Sequence, residues 1–199
     1  MSKDIIMLDS ESLREMDIKR LADFMGNPDL NSYKSKPEDY DYSNFFLHPW
    51  VVKSVLNAYV AQKDALNILE LGAGNGSNGR TLCKLIDPDR NLTLRLTHLD
   101  FFDQNLLEAA NRDKEFTKLH RNFSFQCIQA DVKSSRTREK LISLFKGTID
   151  VAFSIKFLHN TPVKITREMV KFLSSIMTIG GVFILQCYGT HRWIDEIIN

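Results

Sequence analysis

Three observations predict an α/β protein with a doubly wound, mostly parallel sheet and helices on both faces. Short apolar runs with the two-residue period of strands alternate with stretches of helical period, at roughly 25 to 30 residues per unit. The first run, Ile68 to Leu71, breaks into alternating glycines, Gly72, Gly74 and Gly76, and then opens a helix. Two later runs end on a carboxylate, at Asp100 and at Asp131. Right-handed crossovers set Gly72, Asp100, Asp131 and Ser154 along one edge of the sheet, where this architecture binds ligands.

Residues 1–30 are expected to form a helical prelude. Ser12 and Glu15 fit a capping box, and Leu13, Met16, Leu21, Phe24 and Met25 share a face. Gly26-Asn27-Pro28 stops that helix. Residues 31–50 carry Tyr33, Tyr40, Tyr42, Phe45, Phe46 and Trp50 among polar residues. These aromatics suit either a substrate pocket or the pinning of a loop to the core. The division expected is therefore a helical and aromatic cap segment over 1–50, ahead of a ligand-binding domain over 51–199. Pro49 fits the first turn of a helix running through Val52, Val55, Leu56, Tyr59 and Val60.

The glycine stretch carries the chemistry. Glycines allow a tight turn and let backbone N–H groups approach a ligand, while the following helix adds partial positive charge at its start. That helix is expected over Arg80 to Ile86. Gly74 to Gly79 fits G-x-G-x-x-G, the dinucleotide pattern. That pattern should begin at the strand end, and here Gly72-Ala73 intervenes. A carboxylate also sits in the strand, at Glu70, which suits a ligand with a cationic end better than a pyrophosphate.

The second strand, Leu92 to Leu99, alternates and ends at Asp100, roughly 20 to 30 residues past the glycines, where an acid reaches ribose hydroxyls. A helix N-cap is the other use for such an acid, one that Asp103 could also fill. Phe101 and Phe102 are apolar residues that could face an adenine. A helix follows over Asn105 to His120, with Leu106, Leu107, Ala110, Phe116 and Leu119 inward. Phe123 to Gln129 is the third strand, ending in Ala130-Asp131-Val132. Thr137 to Phe145 is a helix closed by Gly147, and Ile149 to Ser154 is a fourth strand apolar enough to be central. His159 follows in Leu158-His159-Asn160-Thr161-Pro162. It suits a proton acceptor, a substrate contact, or a helix-start residue bonded to the backbone. The last long helix is expected over Pro162 to Ile179, stopped by Gly180-Gly181, and the fifth strand over Val182 to Cys187.

Composition narrows the class. The chain has 199 residues, 43% hydrophobic and 26% charged, the balance of a soluble globular domain with a substantial core. A net charge of +1 gives no reason to expect a nucleic acid partner. Cys83, Cys127 and Cys187 have no metal-ligand spacing, so no metal is expected, and buried free thiols point to a reducing, cytoplasmic setting. No apolar run approaches the roughly 20 residues that span a bilayer. The Met1-Ser2-Lys3-Asp4 start does not open a secretory signal.

The pattern E-x-G-x-G-x-G at Glu70 to Gly76 resembles motif I of the class I S-adenosylmethionine-dependent methyltransferases. Asp100, the Ala130-Asp131-Val132 strand end and the L-H-x-x-P element at 158–162 resemble later features of that family, over roughly Asn44 to Cys187. The last resembles its small-molecule members, and the N/D-P-P-Y type motif of many amino methyltransferases is absent. The resemblance implies S-adenosylmethionine as cofactor. It places Glu70 near the methionine amino end, and Gly72, Ala73, Gly74, Asn75 and Gly76 around the thioether and ribose. It places Asp100 on the ribose, Phe101 and Val132 beside the adenine, and Asp131 on the adenine amino group. Ser154 stands at the fourth strand end, and His159 is the candidate catalytic residue.

The implied activity is methyl transfer to a nucleophilic atom, with a small molecule as expected acceptor. A protein or RNA acceptor, a catalytically silent regulatory or scaffold module, and a nicotinamide oxidoreductase are the alternatives. The family adds a helix and an antiparallel strand pair after the fifth strand, and this sequence is too short for both. Three explanations stay open: a shortened sheet, an edge completed by a second copy or a partner chain, or one part of a longer polypeptide.

Overall fold

The computed structural model describes residues 5–7, 56, 59–61, 63–86, 92–155, 157 and 163–186. Along the chain they form β1 (Ile5–Met7), β2 (Ala65–Leu71), α1 (Ser77–Leu85), β3 (Thr93–Asp100), α2 (Asp103–Leu119) and β4 (Phe123–Gln129). Then come α3 (Ser135–Phe145), β5 (Ile149–Ile155), α4 (Val163–Ile176) and β6 (Met177–Gln186). The strands make one six-stranded sheet in the order β1-β4-β3-β2-β5-β6. Every pairing is parallel. The predicted doubly wound α/β class is the observed one.

The two-residue period of the strands sorts the core into two faces. Leu66, Ile68 and Leu96 pack with Leu82 and Cys83 of α1, Phe116 of α2, and the helical residues Leu56 and Val60. The alternate residues Leu69, Leu71, Leu99 and Ile128 pack with Leu141 and Phe145 of α3 and Met169, Phe172, Leu173 and Ile176 of α4. Every residue of β5 is buried, as its apolar sequence requires. Each large side chain buried this way is worth about 1.5–3 kcal/mol against exposure. Among the described residues no helix is long and apolar enough to cross a membrane.

From β2 the chain steps outward through β3 and β4, then returns to lay β5 on the other side of β2. The reversal falls between β2 and β5, and in such sheets the ligand crevice opens beyond the carboxyl ends of the strands at that point.

Two expectations are corrected. Ile5–Met7, expected within a helical prelude, is a strand that pairs with Cys127, Ile128 and Gln129 of β4. Three apolar residues are too few to show a period, and an open strand edge supplies backbone partners that no local pattern announces. The last helix stops at Ile176, three residues short of the expected end, and the strand begins at once. Met177 pairs with Ile149 and Val182 with Val151, so Thr178 to Gly181 bulge out of the ladder. Gly180 takes φ 79° and Gly181 lies close to the Thr178 and Asp150 carbonyls, so the glycine pair serves a bulge and not a helix end. The expected close of α3 is observed, with Gly147 at φ 65° just past the helix. Cys83 and Cys127 are buried free thiols. The Ser12–Glu15 capping box, the aromatics of 31–50, Pro49, His159 and Cys187 lie outside the described residues.

Candidate functional site

The loop after β2 turns on glycines in the left-handed region: Gly72 at φ 72°, Gly74 at 54° and Gly76 at 71°. Side chains at those angles cost about 1–2 kcal/mol each. The space around each glycine differs. A Cβ at Gly72 would lie 2.4 Å from the Phe157 ring. A Cβ at Gly76 would lie 2.8 Å from His98 Cε1, whereas Gly74 has nothing within 4 Å on that side. The loop is therefore wedged at both ends and open in the middle.

Backbone bonds close the rim beneath it. The Gly72 and Ala73 N–H groups both donate to the Leu99 carbonyl, at 2.9 and 3.0 Å, and the Ala130 N–H donates to the Asp100 carbonyl at 2.9 Å. Asp100 then reaches across the rim. The Gly74 N–H donates to its Oδ2 at 2.7 Å and the Phe102 N–H to its Oδ1 at 2.9 Å. Asp100 thus fixes the glycine loop and the turn into α2 with one carboxylate, and it stays partly exposed. Burial raises its pKa, opposed by bonds from Phe102, Gly74, Asn105 and Phe101. Asp103, the other candidate for the helix start, accepts from the Gln104 N–H at 2.8 Å.

The remaining predicted residues take these places. Phe101 and Phe102 stand edge to face at 5.3 Å, both partly exposed at the rim. Asp131 is buried, and its Oδ1 accepts the Lys133 N–H at 3.0 Å in the turn that leads to α3. Val132 is buried behind it. Burial lowers the Lys133 ammonium to about 8, against the pull of Asp131. Ser154 is fully buried and donates to the Leu71 carbonyl at 3.2 Å, bracing the end of β2 across the β2–β5 boundary. Asn75 precedes the N-cap Gly76 of α1, and its Oδ1 accepts the Ser77 N–H at 3.2 Å in a local turn. Ala73 is buried, and its carbonyl accepts the Gly76 N–H at 2.9 Å.

Glu70 heads a buried chain of charges. Its Oε2 lies 2.7 Å from His98 Nδ1, and His98 Nε2 lies 2.7 Å from Asp113 Oδ2. Arg80 Nη1 donates to Asp113 Oδ1 at 2.9 Å, and Arg80 Nη2 donates to the Asn75 carbonyl at 2.9 Å. The chain runs from β2 through β3 and α2 to α1, and ends on the glycine loop. Ionised carboxylates only accept, so with Glu70 and Asp113 both ionised the imidazole between them donates from both nitrogens and is a cation. Burial alone would lower the His98 pKa, but bonds to Asp113 and Glu70 outweigh it and hold the ring at about 9. Burial raises Glu70, against the pull of His98 and Arg80. With His98 charged, two anions face two cations and the group is neutral as a whole.

His98, Asp113, Arg80 and Phe157 were not read from the sequence as site residues. The first three did leave a signal. His98 falls on the inward register of β3 with Leu94 and Leu96, and Asp113 on the inward stripe of α2 with Leu106, Ala110 and Phe116. Arg80 stands one turn before the buried Cys83. Charged residues at apolar registers on neighbouring elements are what a buried network looks like in one dimension. Phe157 left none, since its contact depends on the turn after β5. Among the described residues no group of His, Cys, Asp or Glu is arranged to hold a metal ion.

No protein-family model matches the sequence, and neither does any curated protein. Solved structures share the fold. The DszA carbon methyltransferase superposes with a TM-score of 0.54 at 16% identity over 92% of this chain and 45% of its own. The CMeT domain of citrinin polyketide synthase gives 0.53 at 18% identity, over 75% of this chain and 37% of its own. Phosphoethanolamine N-methyltransferase 1 of Haemonchus contortus, solved with phosphoethanolamine and S-adenosylhomocysteine, gives 0.52 at 12% identity, over 85% and 33%. This chain therefore spans less than half the length of each, and the likeness is one of fold.

Proposed function

We propose that this chain binds S-adenosylmethionine at the carboxyl ends of β2 to β5 and directs its methyl group to a nucleophilic atom, with a small molecule as acceptor. The observation that carries this reading is the Gly74–Asp100 junction. A left-handed glycine with open space at its Cβ position donates its N–H to an acid on the end of β3, next to the β2–β5 reversal. A loop backbone and a carboxylate held side by side in this way suit the recognition of a nucleoside. Further support comes from Asn78 in the first turn of α1, whose buried Oδ1 has no hydrogen-bond donor among the described residues. An ammonium, such as the amino acid end of this cofactor, is the kind of donor it lacks.

S-adenosylmethionine, when bound, supplies a methyl already activated on a sulfonium. The chain's own work is then placement. The Gly72–Gly76 loop sets the distance of closest approach. Asp100 fixes the loop and offers a carboxylate edge to ribose hydroxyls. Phe101 and Val132 supply apolar surface for an adenine, and Asp131 an acceptor beside it. His159 is proposed as substrate contact or base.

The acceptor is tested by incubating the chain and methyl-labelled S-adenosylmethionine with a cell extract split by size. Label in the small-molecule fraction is expected. Label in the protein or RNA fraction would replace the acceptor class, and cofactor binding with label in neither would favour the silent module. Titration with NAD alongside decides the nicotinamide alternative.

A further inference from the structure

We infer that His98 is a positioning residue, an imidazolium clamped between Glu70 and Asp113 that forms the floor of the glycine loop and sets the loop's grip on its ligand. The ligand part of this inference rests on the function proposed above; the clamp itself does not.

Three observations converge on it. Glu70 and His98 are register partners on neighbouring strands and share a face, so their contact is built into the sheet. Two of the glycines are shaped around this ring. A Cβ at Gly76 would come within 2.8 Å of His98 Cε1, and one at Gly79 within 2.9 Å of it and 2.7 Å of Glu70 Oε2. The loop and the first turn of α1 thus lie directly on the buried ring, and glycine is needed at both positions for approach and at Gly76 for φ as well. The far end of the chain of charges returns to the loop, because Asp113 orients Arg80 and Arg80 holds the Asn75 carbonyl. The loop is then fixed from two sides, by Asp100 at Gly74 and by Arg80 at Asn75.

Two of the elements around the ring supply the anions that set its charge. Glu70 faces it from β2 and Asp113 from α2, while Arg80 and Cys83 of α1 lie within reach of those two acids. Cys127, its register partner on β4, is buried beside it. Burial, with Asp113 and Glu70 nearby, raises the Cys83 thiol and keeps it neutral. The ring therefore meets two anions on its nitrogens, and Arg80 reaches it only through Asp113. Loss of the ring proton leaves one carboxylate facing a lone pair in a buried site, which is costly. Either carboxylate carries that strain to the loop region, Asp113 through Arg80 and Glu70 through its close approach to Gly79. By linkage a ligand that needs the loop in this shape binds more weakly as the proton leaves, and its binding holds the proton more tightly.

Histidine labelled with nitrogen-15 in the full chain gives the first reading. Imidazolium shifts on both His98 nitrogens at neutral pH are expected, and a neutral tautomer there overturns the clamp. Calorimetry with S-adenosylhomocysteine from pH 7 to pH 10 gives the second. Affinity should fall by roughly tenfold across the His98 titration, and saturating ligand should move that titration upward. His98→Gln should bind more weakly at neutral pH and lose the slope, and equal affinity with an unchanged profile overturns the positioning role. Should His98→Gln fail to fold, Glu70→Gln keeps the shape and should lower the His98 titration; an unchanged titration overturns the clamp. A wild-type chain that binds no S-adenosylhomocysteine at any pH refutes the proposed ligand. Amide exchange over 74–76 then still decides the clamp: exchange that quickens as His98 titrates supports it, and exchange indifferent to that step overturns it.

Discussion

The two ends of the sheet each bury a carboxylate, and they use it differently. At the amino end, Asp150 of β5 accepts the Asn67 N–H at 2.9 Å, the Tyr59 hydroxyl at 3.2 Å, Lys63 at 3.2 Å and Thr178 at 3.4 Å. Its donors are a backbone amide, two hydroxyls and a half-exposed lysine, and they tie β2, β5 and β6 together. At the carboxyl end, Glu70 and Asp113 face a buried histidine and a nearly buried arginine, and the chain ends on a glycine loop. The first cluster satisfies its acid with what the strands already offer. The second sinks four ionisable groups into the core, which stability alone seldom rewards, since apolar packing of equal volume does as well or better. The carboxyl end bears that cost where the backbone must hold left-handed angles.

The largest expected effect comes from unbalancing the second cluster. Asp113→Leu strands two buried cations and should cost about 3–5 kcal/mol in urea unfolding, and it should also abolish binding of S-adenosylhomocysteine. Asp150→Ala should cost about 1–3 kcal/mol and leave that affinity unchanged. Equal costs, or equal effects on binding, would erase the distinction between the two ends.

The next effect is on pH. The folded His98 value of about 9 is raised above its ordinary 6.5, so its stabilisation is fully present below pH 6.5 and is lost as pH rises through about 9. The loss should reach about 3 kcal/mol at most, from a shift of this size. Urea unfolding at pH 6, 7.5 and 9.5 measures it. The slope should vanish in His98→Gln and survive in Asp150→Ala.

Smaller still is the difference between two glycines of like angle. Gly147 at φ 65° has open space around it, so Gly147→Ala should cost only the backbone strain of about 1–2 kcal/mol. Gly76→Ala at φ 71° meets His98 and Arg80 as well, and should cost about 1–3 kcal/mol more in thermal or urea unfolding. The smallest change is Tyr59→Phe, which removes one of the Asp150 donors and should cost about 0.5–1.5 kcal/mol with ligand affinity unaltered.

Much of the sheet was legible because its signals are local. The β4 bounds follow directly from the alternation of Phe123 to Gln129, and the glycine loop from residue type alone. The acids at 100 and 131 stand at strand ends because a strand's length can be counted. What was not legible depended on partners distant in sequence. Ile5–Met7 becomes a strand only because β4 has an open edge. Gly180-Gly181 reads as a helix stop until Thr178 is tied to Tyr59 and Asp150. Glu70 was read as a ligand contact from its place beside the loop, and its bond to His98 requires the register of β2 against β3. Asp113 lies 33 residues from Arg80, and no period links them.

The central claim is that the carboxyl rim holds an adenosyl sulfonium nucleoside on the Gly74–Asp100 junction. Calorimetric titration of S-adenosylhomocysteine into the wild-type chain and into Asp100→Ala tests it most directly. Saturable binding by the wild-type chain, at least tenfold weaker in Asp100→Ala, is the predicted result, from loss of charge-assisted bonds worth about 1.5–3 kcal/mol. No heat with the wild-type chain, or equal affinity in the two, would contradict it.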